Sequence, residues 1–221
     1  MLHIERKLIK VNQVATQNQI DRLAKADILG FCFGDNYFSM EDFKKLKMGK
    51  QKVSFAVTPH GSATLLDLAA YVADGEADYF EFTPSEPEKI AELNEELKVL
   101  SEVDRPKIAN GFFVLADDDS FLRMEDYFDI LSGHGVEFFQ FEIVSVLDEH
   151  SMLPKNFMSR AEKLFSSHRV LVSDSFSSMS EYPIKNIDGF YFNLERDSQE
   201  NYDLSEQKFS LSKVLRVIGS A

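Results

Sequence analysis

Leu211-Ser212-Lys213-Val214-Leu215-Arg216-Val217-Ile218 is the stretch on which the fold turns. Taken alone, the apolar run 214–218 reads as a short strand. Its spacing says otherwise: Leu211, Val214, Leu215 and Ile218 recur at i, i+3, i+4 and i+7, the period that puts side chains on one helical face. If the chain ends on a helix, its first secondary-structure element is a strand, residues 8–14, and the segments between alternate in type.

Upstream, strand-like segments fall at 8–14, 28–34, 53–58, 79–83, 108–116, 136–145, 170–175 and 187–194, spaced about 25 to 30 residues apart, the length of one βα unit. Helix-period segments lie between them. Leu65, Leu68, Ala69 and Val72 share one face, as do Met124, Tyr127, Phe128 and Leu131. Ser39 with Asp42 resembles a capping box, Ser85 precedes Pro87 at the opening of the Ile90, Leu93, Leu97, Leu100 stripe, and Gly75 and Gly133 mark helix stops.

Eight strands alternating with eight helices, joined by crossovers long enough for parallel pairing, predict a compact α/β fold: a (βα)8 TIM-like barrel formed by residues 1–221 as one domain. An open doubly wound parallel sheet is the alternative, because periodicity cannot show closure.

Composition bounds the function. The chain has 221 residues, 44% of them apolar, which is long enough for a sizeable single core. With 24 Lys and Arg against 37 Asp and Glu, a formal charge of −13 opposes nucleic acid and anionic lipid as partners. One cysteine, an N-terminal segment broken by charges and no long apolar run point to a cytoplasmic protein without disulfides or membrane spans. A small-molecule substrate is the expected partner, with a homo-oligomer left open.

Strand alternation sorts residues by face. In Gly30-Phe31-Cys32-Phe33-Gly34, Phe80-Glu81-Phe82-Thr83, Phe139-Gln140-Phe141-Glu142 and Gly189-Phe190-Tyr191-Phe192-Asn193, phenylalanine holds one parity and small or polar residues the other. Phenylalanines facing the helices leave a polar barrel interior, with Lys10, Asn12, Ser54, Thr58, Ser173 and Ser175 on the inner side. The fifth strand, with Phe112 beside Phe113, does not resolve.

Lys10, Glu81 and Glu142 inside a barrel form a candidate acid/base or metal-binding group, since burial and neighbouring charge move a carboxylate toward useful pKa values. The plain reading is a buried structural ion pair. A Schiff-base role for Lys10 is opposed by the carboxylates, which would raise its pKa.

His60, in Thr58-Pro59-His60-Gly61-Ser62, is a further catalytic candidate. Asn12, Ser173, Ser175, Asn193 and Arg196 are candidate substrate contacts, and Glu142, Asp174 and Glu195 a candidate site for Mg²⁺ or Mn²⁺. Asp35, Asp117, Asp148 and His150 sit in further loops at the same end, whereas His3, His134 and His168 precede strands and belong to the other.

The turns after strands seven and eight lack glycine and carry three acids, so phosphate recognition is disfavoured, and no Rossmann or Walker glycine pattern occurs. Cys32 reads as a small buried hydrophobe. The expected activity is isomerase or lyase chemistry, acid/base or divalent-metal-assisted, on a polar carbonyl or sugar-like compound; the alternative is a catalytically inactive barrel that binds or assembles with partners.

Overall fold

β1 (Leu8–Asn12) hydrogen-bonds to β8 (Gly189–Leu194) along its whole length, from Leu8 opposite Gly189 to Asn12 opposite Asn193, and this seam closes the sheet into a barrel. Between them run β2 (Ile28–Phe33), β3 (Lys52–Val57), β4 (Tyr79–Phe82), β5 (Lys107–Leu115), β6 (Val136–Val144) and β7 (Val170–Ser173), each parallel to its sequence neighbour. The open doubly wound alternative is thereby excluded. The structure is a computed structural model describing residues 6–34, 37–57, 64–115, 124–144, 146, 156–174, 179, 182–195 and 207–219.

The crossovers carry α1 (Gln17–Arg22), α2 (Met40–Phe43), α3 (Leu65–Asp74), α4 (Ile90–Glu102), α5 (Glu125–Gly133) and α6 (Phe157–Ser167), and α7 (Leu211–Gly219) ends the described chain as the periodicity requires. Local chemistry sets the starts. Thr16 and Thr64 each complete a capping box, Thr16 with Gln19 and Thr64 with Asp67. Ser39 caps the Asp42 N–H, while Ser85 donates to Glu96 and does not cap α4. None of the described helices is long and apolar enough to cross a membrane.

Two expectations change. Eight helices were predicted, and seven occur among the described residues: 182–188, ahead of β8, are not helical. Pro183 has no N–H to give a helix, Asn186 sits at φ 60, and Ile184 and Ile187 bury into the core from this irregular segment.

The seventh strand stops at Ser173, short of the predicted residue 175. Above that point β9 (Lys208–Phe209), which has no counterpart in the sequence reading, pairs with Asn193 and Leu194. Asn12 already occupies the other side of Asn193, so β9 lies on the β7 side, where a longer β7 would have run.

The parity rule holds. Phe31, Phe33, Phe80, Phe82, Phe139, Phe141, Phe190 and Phe192 belong to the apolar layer between barrel and helices. Inside, the base is plugged by Leu8, Ile28, Tyr79, Ile108, Phe138, Leu171 and Tyr191, and the polar residues are stacked above it. Gly189 is required at the seam, because a Cβ there would overlap the Leu8 carbonyl.

Candidate active site

Lys10 lies wholly inside the barrel, with no solvent exposure. Its Nζ donates to Glu81 at 2.8 Å, to Gln140 at 3.3 Å and to the Asn12 side-chain oxygen, which uses all three ammonium hydrogens. Glu81 is equally saturated. One carboxylate oxygen accepts from Lys10 and from Ser54 at 2.9 Å, the other from Asn110 at 3.2 Å and Gln140 at 2.6 Å. Asn12 passes the network on to Gln140 and Asn193, each at 3.0 Å, and Thr83 donates to Asn110. Alternation places one of these polar side chains on the inner face of every strand but β2 and β7.

The electrostatics follow from burial. Burial would raise the Glu81 carboxyl; the Lys10 charge and the hydrogen bonds from Lys10, Gln140 and Asn110 outweigh it and hold the pKa below the ordinary value. Burial lowers Lys10, opposed by the Glu81 charge and hydrogen bond. The two shifts pull opposite ways on the ion pair. Three acceptors around Nζ and four donors around the carboxylate favour the charged form.

Glu142 stands apart from this pair, which corrects the expectation of one group of three. It is 1% exposed, at the C-terminal end of β6, and one carboxylate oxygen accepts the Gln207 backbone N–H at 2.8 Å. The donor reaches it because β9 fills the gap beside β8. Glu142 pairs in register with Ser173 on β7, whose buried hydroxyl makes no hydrogen bond.

On its other side, Glu142 is in register with Phe113. A β-bulge puts it there. Gly111, at φ +86, is an extra residue between Ala109 and Phe112, and a Cβ on it would meet Thr83 Cγ2 at 2.7 Å. The bulge returns Phe112 to the outer layer against Phe128, Phe139 and Phe141. By alternation Phe113 and Leu115 then face the mouth, 41% and 44% exposed. This resolves the strand that periodicity could not.

Asn12, Asn193 and Ser173 lie near the C-terminal ends of β1, β8 and β7. His60, Ser175 and Arg196 lie outside the described residues, as do Thr58, Asp35, Asp117, Asp148 and His150.

The proposed metal set does not assemble: Asp174 is buried against the Tyr182 hydroxyl at 3.2 Å, Glu195 is exposed, and no three His, Cys, Asp or Glu side chains among the described residues gather into a metal-holding group. Burial and then the charge of Asp174 push the Tyr182 phenol well up.

His134 and His168 cap α5 and α6 at the opposite end, as their positions implied. Alternation puts Gln140 inside but gives it no role, and Asn110 lies on the fifth strand, whose faces the sequence does not resolve.

No protein-family model matches the chain, and no curated protein matches it in sequence. Solved structures do. A type I 3-dehydroquinate dehydratase from Clostridium difficile superposes with a TM-score of 0.60 over 97% of this chain and 92% of that one, at 9% identity. A phosphoribosyl anthranilate isomerase from Thermococcus kodakaraensis gives 0.56 over 98% and 100% at 11% identity. The tryptophan synthase alpha subunit from Campylobacter jejuni gives 0.58 over 99% and 96% at 12% identity. At these identities the likeness is one of fold: the chain is a TIM barrel.

Proposed function

We propose that the C-terminal mouth of the barrel is a small-molecule enzyme site of the isomerase or lyase type. Glu142 transfers a proton on a polar carbonyl or sugar-like substrate, and Ser173 and Asn193 contact that substrate. The observation that carries this reading is a carboxylate 1% exposed at a strand's C-terminal end, beside a buried hydroxyl without a partner. A buried acid is costly to hold, and in this fold strand ends are where chemistry is done. A dehydratase and an isomerase among the fold neighbours suit the same class.

Lys10 and Glu81 are positioning residues here. Their hydrogen bonds are used up inside the network, which leaves them to fix Asn12, Gln140 and Asn193 from below. That saturation favours a second reading, a catalytically inactive binding barrel, since it accounts for two buried charges without chemistry. A Mg²⁺- or Mn²⁺-assisted version needs oxygen ligands to Glu142 from outside the described residues.

Solvent deuterium exchange separates the readings. Hydroxycarbonyl compounds such as dihydroxyacetone and glyceraldehyde are incubated in D₂O, and loss of the α-proton signal is followed by NMR. Protein-dependent exchange that Glu142→Gln abolishes while the variant stays folded at the assay temperature is expected, and addition of EDTA reads any metal requirement. Exchange no faster than without protein favours the inactive barrel, and protein-dependent exchange equal in wild type and variant removes Glu142 from the role.

A further inference from the structure

Glu142 takes a hydrogen bond from a part of the chain far from it in sequence. Its register neighbours, Phe113 on β5 and Ser173 on β7, bring a ring and a hydroxyl that makes no hydrogen bond. The donor at 2.8 Å is the backbone N–H of Gln207, the residue before β9. A hydrogen bond to one carboxylate oxygen fixes the rotation of the carboxylate, and with it the direction in which the other oxygen points. A backbone donor is held only as firmly as the backbone that carries it.

β9 has little ladder to hold it. Lys208 is in register with Asn193 and Phe209 with Leu194, and the Glu195 N–H donates to the Phe209 carbonyl at 3.0 Å. So short a pairing is not self-sustaining in water. What secures it is the Phe209 ring, 1% exposed, set edge-on against the buried Phe192 ring with centroids 5.3 Å apart and covered by the Lys213 ammonium at 4.7 Å. Burial of an aromatic ring is the largest contribution a segment this short can make. Ser210 follows at once and accepts the first N–H groups of α7, from Lys213 and Val214, and α7 is seated in the core by Val214, Val217 and Ile218.

We infer that Phe209 is a positioning residue of the barrel mouth, anchoring β9 so that the Gln207 N–H holds the Glu142 carboxylate in the orientation for proton transfer. It acts through the backbone, from ring to strand and from strand to N–H. This deepens the reading of Glu142 as the proton-transfer group, and rests on it.

Gln207→Pro removes the N–H and leaves the anchor, whereas Gln207→Ala keeps both. Phe209→Ala removes the anchor, and Phe209→Leu restores an apolar one. Two quantities are read: the Glu142 carboxyl ¹³C resonance at neutral pH, assigned by its loss in Glu142→Gln, and the α-proton exchange of dihydroxyacetone in D₂O. Gln207→Pro and Phe209→Ala are expected to move the resonance and to slow exchange about tenfold or more, the worth of one hydrogen bond to a charged group. Phe209→Leu is expected to bring both back toward wild type, and Gln207→Ala to leave the resonance in place. A mere loss of stability would slow exchange with the folded fraction but leave the resonance of the folded barrel unmoved.

A resonance unmoved in Gln207→Pro overturns the inference, as does one that moves there but not in Phe209→Ala. A Phe209→Ala chain that does not fold makes the ring a residue of the barrel as a whole and overturns its positioning role, while Gln207→Pro still reads whether β9 orients Glu142. Failure of the catalytic reading looks different: the resonance moves in both variants, yet wild type supports no exchange, which removes the proton transfer and leaves the anchored carboxylate.

Discussion

Glu81→Gln is expected to destabilise the barrel severely. The change keeps shape but removes the negative charge bonded to Lys10, an ammonium with no solvent exposure and no other carboxylate partner among the described residues. Breaking a buried pair from one side costs about 3–5 kcal/mol, against a typical total stability of roughly 5–15 kcal/mol. For a chain of this length each kcal/mol lowers the melting temperature by about 2–4 °C, so a fall of roughly 6–20 °C is expected. Urea unfolding at neutral pH reads the free energy directly.

Lys10→Met paired with Glu81→Gln removes both charges, and should recover most of the loss, because an apolar substitute for a buried pair is often neutral or better. A Glu81→Gln cost below about 1 kcal/mol, or a double variant no better than the sum of the singles, would refute the coupling.

The same pair sets an acid limb. The Glu81 carboxyl is held below its ordinary value, chiefly by Lys10 against the opposing effect of burial. As pH falls through about 4.3 the unfolded chain takes up a proton that the folded barrel refuses, so stability declines from there down through the lowered folded pKa and is fully present above. Glu81→Gln should flatten that part of the stability profile.

Glu142→Gln, by contrast, keeps an oxygen for the Gln207 N–H and should cost less than Glu81→Gln by urea unfolding, with deuterium exchange lost; a loss matching that of Glu81→Gln would make Glu142 structural. Gly111→Ala forces a Cβ onto φ +86 and against Thr83, for an expected cost of about 1–3 kcal/mol. Thr83→Ala in the same chain should recover only the steric part, and a silent Gly111→Ala would count against the bulge. Gly189→Ala, which drives a Cβ into the Leu8 carbonyl at the closing seam, should abolish cooperative melting; normal melting would mean that β1 and β8 do not meet there.

What the residues made readable, and what they did not, divides along physical lines. Two-residue alternation put Phe31, Phe80, Phe139 and Phe190 on the helix side and Lys10, Glu81 and Glu142 inside, because a closed barrel admits no third environment for a strand side chain. Which acid pairs with Lys10 was not readable. Alternation gives the face but not the height, and the height depends on the stagger between strands. Lys10, Glu81 and Gln140 share one layer, while Glu142 stands one inward position further along β6 from Gln140.

β9 was hidden for a different reason, since a two-residue strand leaves no period to detect, yet it brings the Gln207 N–H to Glu142. The bulge at Gly111 left a trace in the sequence: two adjacent phenylalanines with a glycine before them break the period that the flanking residues keep. Such a break near a strand's C-terminal end is itself informative in this fold, because re-aiming a side chain toward the mouth requires an inserted residue, and a glycine can take the backbone angle the insertion demands. Phe113 beside Glu142 thus sets an apolar surface against an acid at the barrel mouth.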